Sequence, residues 1–180
     1  MEAITTTDTK LVGTVTSAAK GDDIAFGRIV ADHHDDMRRV CVFVTRDEAL
    51  AEEAVQIAWS VAWQKLGSLR DPERLRPWLI RIAVNEAKRL LSKRSRRTSV
   101  EFVAHSAPVV GGVDPATGIE RIDVLAAMER LKPDDRGLIA MRYVMGFDAT
   151  ELAAATGMSP AATRQRLKRL LDRLRRDLER

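Results

Sequence analysis

Cysteine is almost missing from this chain of 180 residues. Cys41 stands alone, flanked by Val40, Val42 and Phe43, so neither a disulfide framework nor a cysteine-based zinc site can form within one chain. In that apolar setting the thiol reads as a small buried hydrophobe. Aromatic residues make up only 4% of the sequence, and the runs of Val, Ile, Thr and Tyr that build strands are scarce. No stretch approaches the roughly 18 apolar residues of a membrane span. The opening MEAITTTDTKLVG has no basic segment and no long apolar core, so no secretory signal is expected, and a reducing cytoplasm is the expected setting. A glycine-rich phosphate loop, a nucleophile elbow and a paired cysteine and histidine are also missing. A non-enzymatic role without a cofactor is therefore expected. Histidine and aspartate do cluster at ADHHDDMRR (residues 31–39). Neighbouring residues on a helix point about 100° apart, so His33, His34, Asp35 and Asp36 cannot converge on one metal ion.

Helix formers are plentiful. Apolar residues reach 45%, with Ala, Leu, Arg and Glu prominent, which points to an all-α fold. The net charge is only +4, but it is unevenly spread. Residues 81–97 carry a net +6 and residues 164–180 a net +5, leaving −7 for the rest. Two basic stretches on an otherwise acidic chain suggest a polyanion met at two places, or else two solvated helix faces.

The pattern divides the chain into two small helical domains joined by a flexible linker. Residues 1–20 are Thr-rich and are expected to form a disordered leader. A first domain is expected over 21–97, with helical stripes at Phe26, Ile29, Val30, Met37, Val40 and Val44, then at Ala51, Val55, Ala58, Trp59 and Ala62, then at Trp78, Leu79, Ile82, Ala83 and Leu90. Asp71 and Pro72 punctuate it as a cap and a first helical residue. Residues 98–119 hold Pro108, Gly111, Gly112, Pro115 and Gly118 and read as the linker; a flexible coil of roughly 22 residues spans about 25 Å. A second domain is expected over 120–180. Leu125, Met128 and Leu131 mark its first helix, and further helices are expected over 134–144, 149–156 and 159–178.

The last two of those helices have the make-up of a helix-turn-helix. Ala153 is small where the helices must touch. Gly157 can take the left-handed conformation that ends the first helix. Met158 follows as an inward apolar residue. Ser159 and Pro160 then suit the cap and first position of the second helix. That helix presents Arg164, Gln165, Arg166, Lys168 and Arg169, side chains suited to guanine edges and phosphates. The arginines beyond Arg173 read mostly as a solvated face.

Three stretches, in this order, carry a resemblance: LAEEAVQIAWSVAW (residues 50–63), DPERLRPWLIRIAVNEAKRLLSKRSRR (71–97) and LAAMERLKPDDRGLIAMRYVMGFDATELAAATGMSPAATRQRLKR (125–169). Together they resemble bacterial sigma factors of the sigma-70 superfamily, specifically the extracytoplasmic-function (ECF) group, over about residues 26–171. The resemblance implies a region-2 domain and a region-4 domain, with bacterial core RNA polymerase and promoter DNA as partners. It implies that Glu52, Glu53 and Gln56 meet the β′ coiled-coil of the polymerase. It implies that Trp78, Arg81, Asn85, Lys88 and Arg89 bind and open the −10 element, and that residues 66–70 form the loop that captures a flipped base. It assigns reading of the −35 element to Ala161, Ala162, Arg164, Gln165, Arg166 and Lys168. Family habit adds an anti-sigma factor as a partner. The chain departs from the usual pattern at Ala54 and Ile57 in region 2, and at Ala162 and Thr163 in region 4. A stand-alone helix-turn-helix regulator and a sigma-like adaptor that binds polymerase without opening DNA are the alternative readings. The free chain is expected to bind promoter duplex weakly, with its domains packed together and part of its basic surface masked.

Overall fold

The computed structural model describes residues 3–98, 127–128 and 130–179. Among these there are helices and turns but no strand. The linker expected over 98–119 and the helix marker Leu125 lie outside the described residues, apart from Thr98.

Helix α1 (Ala3–Ala19) replaces the disordered leader that the Thr-rich sequence suggests. Val15 and Ala18 are buried, and α1 packs on α2 and on the turns that precede α4. Three residues apart, these two apolar side chains share one helix face and anchor it; polar composition hid the stripe.

The long helix α2 (Asp23–Thr45) starts where Asp22 accepts hydrogen bonds from the amides of Ile24 and Ala25, and stops where Arg46 turns left-handed at φ 60°. Asp47 then caps α3 (Glu48–Lys65) by accepting from the Leu50 amide at 2.9 Å. The buried face of α3 is Ala51, Ala54, Val55, Ala58 and Ala62. These small residues let the helix lie close to its neighbours. Two short 3₁₀ turns, Leu66–Ser68 and Pro72–Arg74, lead into α4 (Leu75–Thr98), with Asp71 accepting from the Glu73 amide. Helices α2, α3 and α4 pack mutually around Met37, Val40, Val44, Val55, Leu79 and Ala83. Phe26 meets the rings of Trp59 and Trp63 edge-on at 5.8 and 4.8 Å.

The second half begins with buried Ala127, Met128 and Leu131. Helix α5 (Pro133–Ile139) passes into a π-helical turn, Ala140–Val144. The helix expected over 134–144 is thus continuous but changes its hydrogen-bond pattern. Gly146, at φ 69°, turns the chain so that Phe147 enters the core fully buried. Helix α6 (Ala149–Thr156) opens on a complete capping box between Asp148 and Glu151. Helix α7 (Pro160–Leu178) follows.

The two halves are packed against each other. Helix α5 lies on α2 and α4, and α6 lies on α4. Arg136, buried, donates from Nε and Nη2 to the Val44 carbonyl at 2.9 and 2.7 Å, and from Nη1 to the Leu131 carbonyl at 2.8 Å. Val44 lies in the last turn of α2, where carbonyls lack helical partners and the helix dipole favours a cation. Arg76 of α4 bonds Asp36 at 3.0 Å and the Met145 carbonyl at 2.9 Å, and its guanidinium stacks on Phe147 at 4.8 Å.

Cys41 lies fully inside the first bundle, its Sγ 3.5 Å from the Ala83 carbonyl. Burial, aided by the nearby Glu52 carboxylate, pushes the thiol up to about 12. At pH 8 only about one thiol in ten thousand is then ionised, and the thiolate is the reactive form. Native protein should react with Ellman's reagent far more slowly than protein in urea. Equal rates would contradict this burial.

Candidate nucleic-acid interface

The recognition-type helix is built as the sequence dictates. Gly157 closes α6 at φ 70°, its amide donating to the Ala153 carbonyl at 2.9 Å. Ser159 accepts from the Ala162 amide at 3.2 Å, and Pro160 takes the first helical position. Ala153 is buried, while Met158 is half-buried. Thr163, one of the departures from the family pattern, is fully buried. Its hydroxyl donates to the Ser159 carbonyl at 3.0 Å, so a polar residue occupies an apolar slot without an unmet hydrogen bond. Leu170 anchors α7 further along.

Of the −35 candidates, Ala161, Ala162, Arg164, Gln165 and Lys168 are exposed together on α7. Arg166, the sixth candidate, is half-buried and engaged within the protein. Its Nη2 and Nε donate to Asp135 of α5 at 2.7 and 3.2 Å. Arg173 lies 3.9 Å from the same carboxylate. Asp135 is buried, and a buried carboxylate requires such partners. Helix periodicity places Arg166 about 100° from Gln165, and the sequence offered no sign that an acid from another helix would hold it.

The second surface lies on α4. Arg81, Asn85 and Arg89 are exposed, and Lys88 is half-buried. Residues 78, 81, 85 and 88 follow helical spacing along one face. Trp78 is half-buried and packs against the hydrophobic core, so its ring is partly a packing element. Two cations on this face already have anionic partners. Arg89 bonds Glu86 at 2.6 Å, and Lys88 bonds Asp134 of α5 at 2.7 Å. The proposed base-capturing loop contains Leu66, which is buried, and Ser68, whose hydroxyl donates to the Lys65 carbonyl.

The candidate polymerase contacts share one edge of α3. Glu53 and Gln56 are exposed and Glu52 is half-buried. The departures nearby are structural: Ala54 is fully buried, and Ile57 packs partly into the core. In the histidine run, His34 Nδ1 accepts from the Trp59 indole at 3.3 Å, and burial lowers the His33 imidazole below its usual value.

These surfaces sit on elements with known counterparts. A Sigma-70 region 2 model matches residues 29–97, and a Sigma-70, region 4 model matches residues 121–174. The chain therefore carries both sigma-70 regions, in order. A probable RNA polymerase sigma factor, RfaY, of Xanthomonas campestris pv. campestris is 31% identical over 96% of this chain, which spans only 45% of that relative's length. The ECF RNA polymerase sigma factor SigM of Mycobacterium tuberculosis is 27% identical over 87% of this chain and 78% of its own. The fold matches that of the sigma factor RpoE of Bartonella quintana, solved with the anti-sigma factor NepR, at a TM-score of 0.69 and 23% identity, covering 86% of this chain and 96% of that one. The chain belongs to the extracytoplasmic-function group of the sigma-70 superfamily.

The geometry separates two arginines two residues apart on α7. Arg166→Ala should lower stability by about 1–2 kcal/mol, because it removes a charged hydrogen-bond pair from a buried carboxylate, discounted for its partial exposure. Arg164→Ala should leave urea stability within about 0.5 kcal/mol, as is usual for exposed sites. Equal losses from the two substitutions would contradict the assignment.

Proposed function

We propose that this chain binds bacterial core RNA polymerase and directs promoter-specific initiation. Region 2 binds and opens the −10 element, and region 4 reads the −35 element. The observation that carries this reading is the pair of basic helix faces, one on α4 and one on α7, each on a separately matched sigma region. Family membership supports the partner classes, polymerase and DNA.

On α4, Arg81, Lys88 and Arg89 supply cations for a strand backbone, Asn85 supplies a polar group for base edges, and Trp78 exposes part of a flat ring. Single-strand binding uses this combination. On α7, Arg164, Gln165 and Lys168 carry the polar reading of the major groove, and Ala161 and Ala162 offer small apolar contacts suited to a thymine methyl. Arg166 orients α7 through Asp135 rather than reading a base. Glu52, Glu53 and Gln56 form the polymerase contact on α3. An anti-sigma partner is also proposed, since relatives of this fold are solved with such proteins bound. A cytoplasmic setting follows from these partners.

Reconstituted transcription with sigma-free core polymerase tests the assignments. Arg164→Ala should weaken −35-dependent initiation by about 1–3 kcal/mol if it reads a base, and Glu53→Lys should weaken co-migration with core polymerase while leaving the fold intact. Initiation unchanged by Arg164→Ala, Gln165→Ala and Lys168→Ala alike would remove α7 as the reader.

A further inference from the structure

We propose that Asp135 of α5 sets the sequence specificity of α7: its carboxylate holds Arg166 off the duplex, so that Arg166 adds no sequence-blind phosphate contact to the contacts that read bases. Asp135 is then a positioning residue for the −35 reading, and the proposal rests on the duplex reading of α7 given above.

An α-helix with its side chains is about 10–12 Å across, and the major groove is about 12 Å wide. A helix seated there turns one face to the base edges and both flanks to the strand backbones. On α7 that face is Ala161, Arg164, Gln165 and Lys168, all exposed. One flank carries guanidiniums. Arg169 and Arg173 follow Gln165 at successive turns, and Arg166 lies three residues before Arg169, on the same side. Three cations on one flank are placed for phosphate oxygens, which every sequence presents alike.

Asp135 changes what that flank can offer. It shares a depression of about 240 Å³ with Arg166, Arg169, Leu170 and Arg173. One carboxylate oxygen accepts both Arg166 bonds, from Nη2 at 2.7 Å and from Nε at 3.2 Å. The other oxygen lies 3.9 Å from Arg173 Nη1. Arg169 instead donates from Nε to the Gln165 carbonyl at 3.4 Å. The Asp135 side chain is 11% exposed against 37% for Arg166, so the carboxylate cannot follow its partner into solvent. Moving Arg166 to a phosphate would strand a buried charge. Arg173, more exposed and at longer range, is held loosely. The consequence lies in specificity rather than affinity. A phosphate contact strengthens binding to all sequences alike and so enlarges the competition from other DNA. With Arg166 withheld, the contacts of α7 are weighted towards Arg164, Gln165 and Lys168.

The test uses the full chain carrying Asp135→Asn, Asp135→Glu or Arg166→Ala, the last also combined with Asp135→Asn. Asparagine keeps the shape and an acceptor but not the charge, and glutamate keeps the charge. Circular dichroism checks helicity, and anisotropy reports binding of a fluorescein-labelled mixed-sequence duplex over a low-salt range. Asp135→Asn should tighten this binding by about threefold and steepen the fall of log K with log salt by about 0.9, the increment for one more neutralised phosphate. Arg166→Ala should leave the slope unchanged in the native background and abolish the increment in the Asp135→Asn chain. Asp135→Glu should keep the native slope. In transcription with core polymerase on pooled genomic promoter fragments, Asp135→Asn should broaden the farther upstream element. A merely structural Asp135 would instead weaken duplex binding without steepening its slope. That result, an increment that survives Arg166→Ala, or an element as sharply defined as before would overturn the proposal. If Arg164→Ala and Lys168→Ala also leave duplex binding and its slope unchanged, α7 does not meet the duplex and the −35 reading falls as well.

Discussion

The arrangement of this chain turns on one buried cation and the glycine beside it. Arg136 brings a guanidinium into the interior, where its desolvation is met by three hydrogen bonds to carbonyls. Two of those bonds go to Val44, at the end of a helix whose last carbonyls need donors. Gly137 then lets α5 approach until backbone meets valine. With α5 seated there, Arg76 can reach from α4 to Asp36, the Met145 carbonyl and the Phe147 ring at once. The relation between the two sigma regions follows from these contacts.

The two candidate DNA helices sit differently in that frame. Helix α7 keeps Arg164, Gln165 and Lys168 in solvent, because Thr163 and Leu170 face inward and Asp135 holds Arg166. On helix α4, Arg81 and Arg89 are exposed, whereas Lys88 is held by Asp134 of α5. An exposed candidate recognition helix beside a candidate strand-binding helix with one cation already paired suits the proposed reading, in which duplex and single strand are met on different elements.

Much of this was legible in the residues. Gly157, Ser159 and Pro160 act locally, through backbone conformation and capping, and local rules found them. The apolar spacing of α2, α3 and α4 likewise declared the first bundle, and Asp71–Pro72 marked its last turn. What escaped the sequence was set at a distance or by sparse signals. Helix α1 is anchored by Val15 and Ala18, too short a stripe to stand out among threonines. The diversion of Arg166 to Asp135 and of Lys88 to Asp134 depends on how α5 packs, which periodicity along α4 or α7 does not encode. Gly137 offered no punctuation signal either: it lies inside a helix, where its role is close approach rather than a turn.

The most direct measurement adds the purified chain to sigma-free bacterial core polymerase on pooled genomic promoter fragments and maps the 5′ ends of the transcripts. The account predicts discrete start sites that depend on the chain and share two spaced sequence elements upstream, the nearer lost with substitutions on α4 and the farther altered by substitutions at Arg164, Gln165 or Lys168. Transcripts with no chain-dependent start sites, from a chain that co-migrates with core polymerase, would contradict promoter-directed initiation.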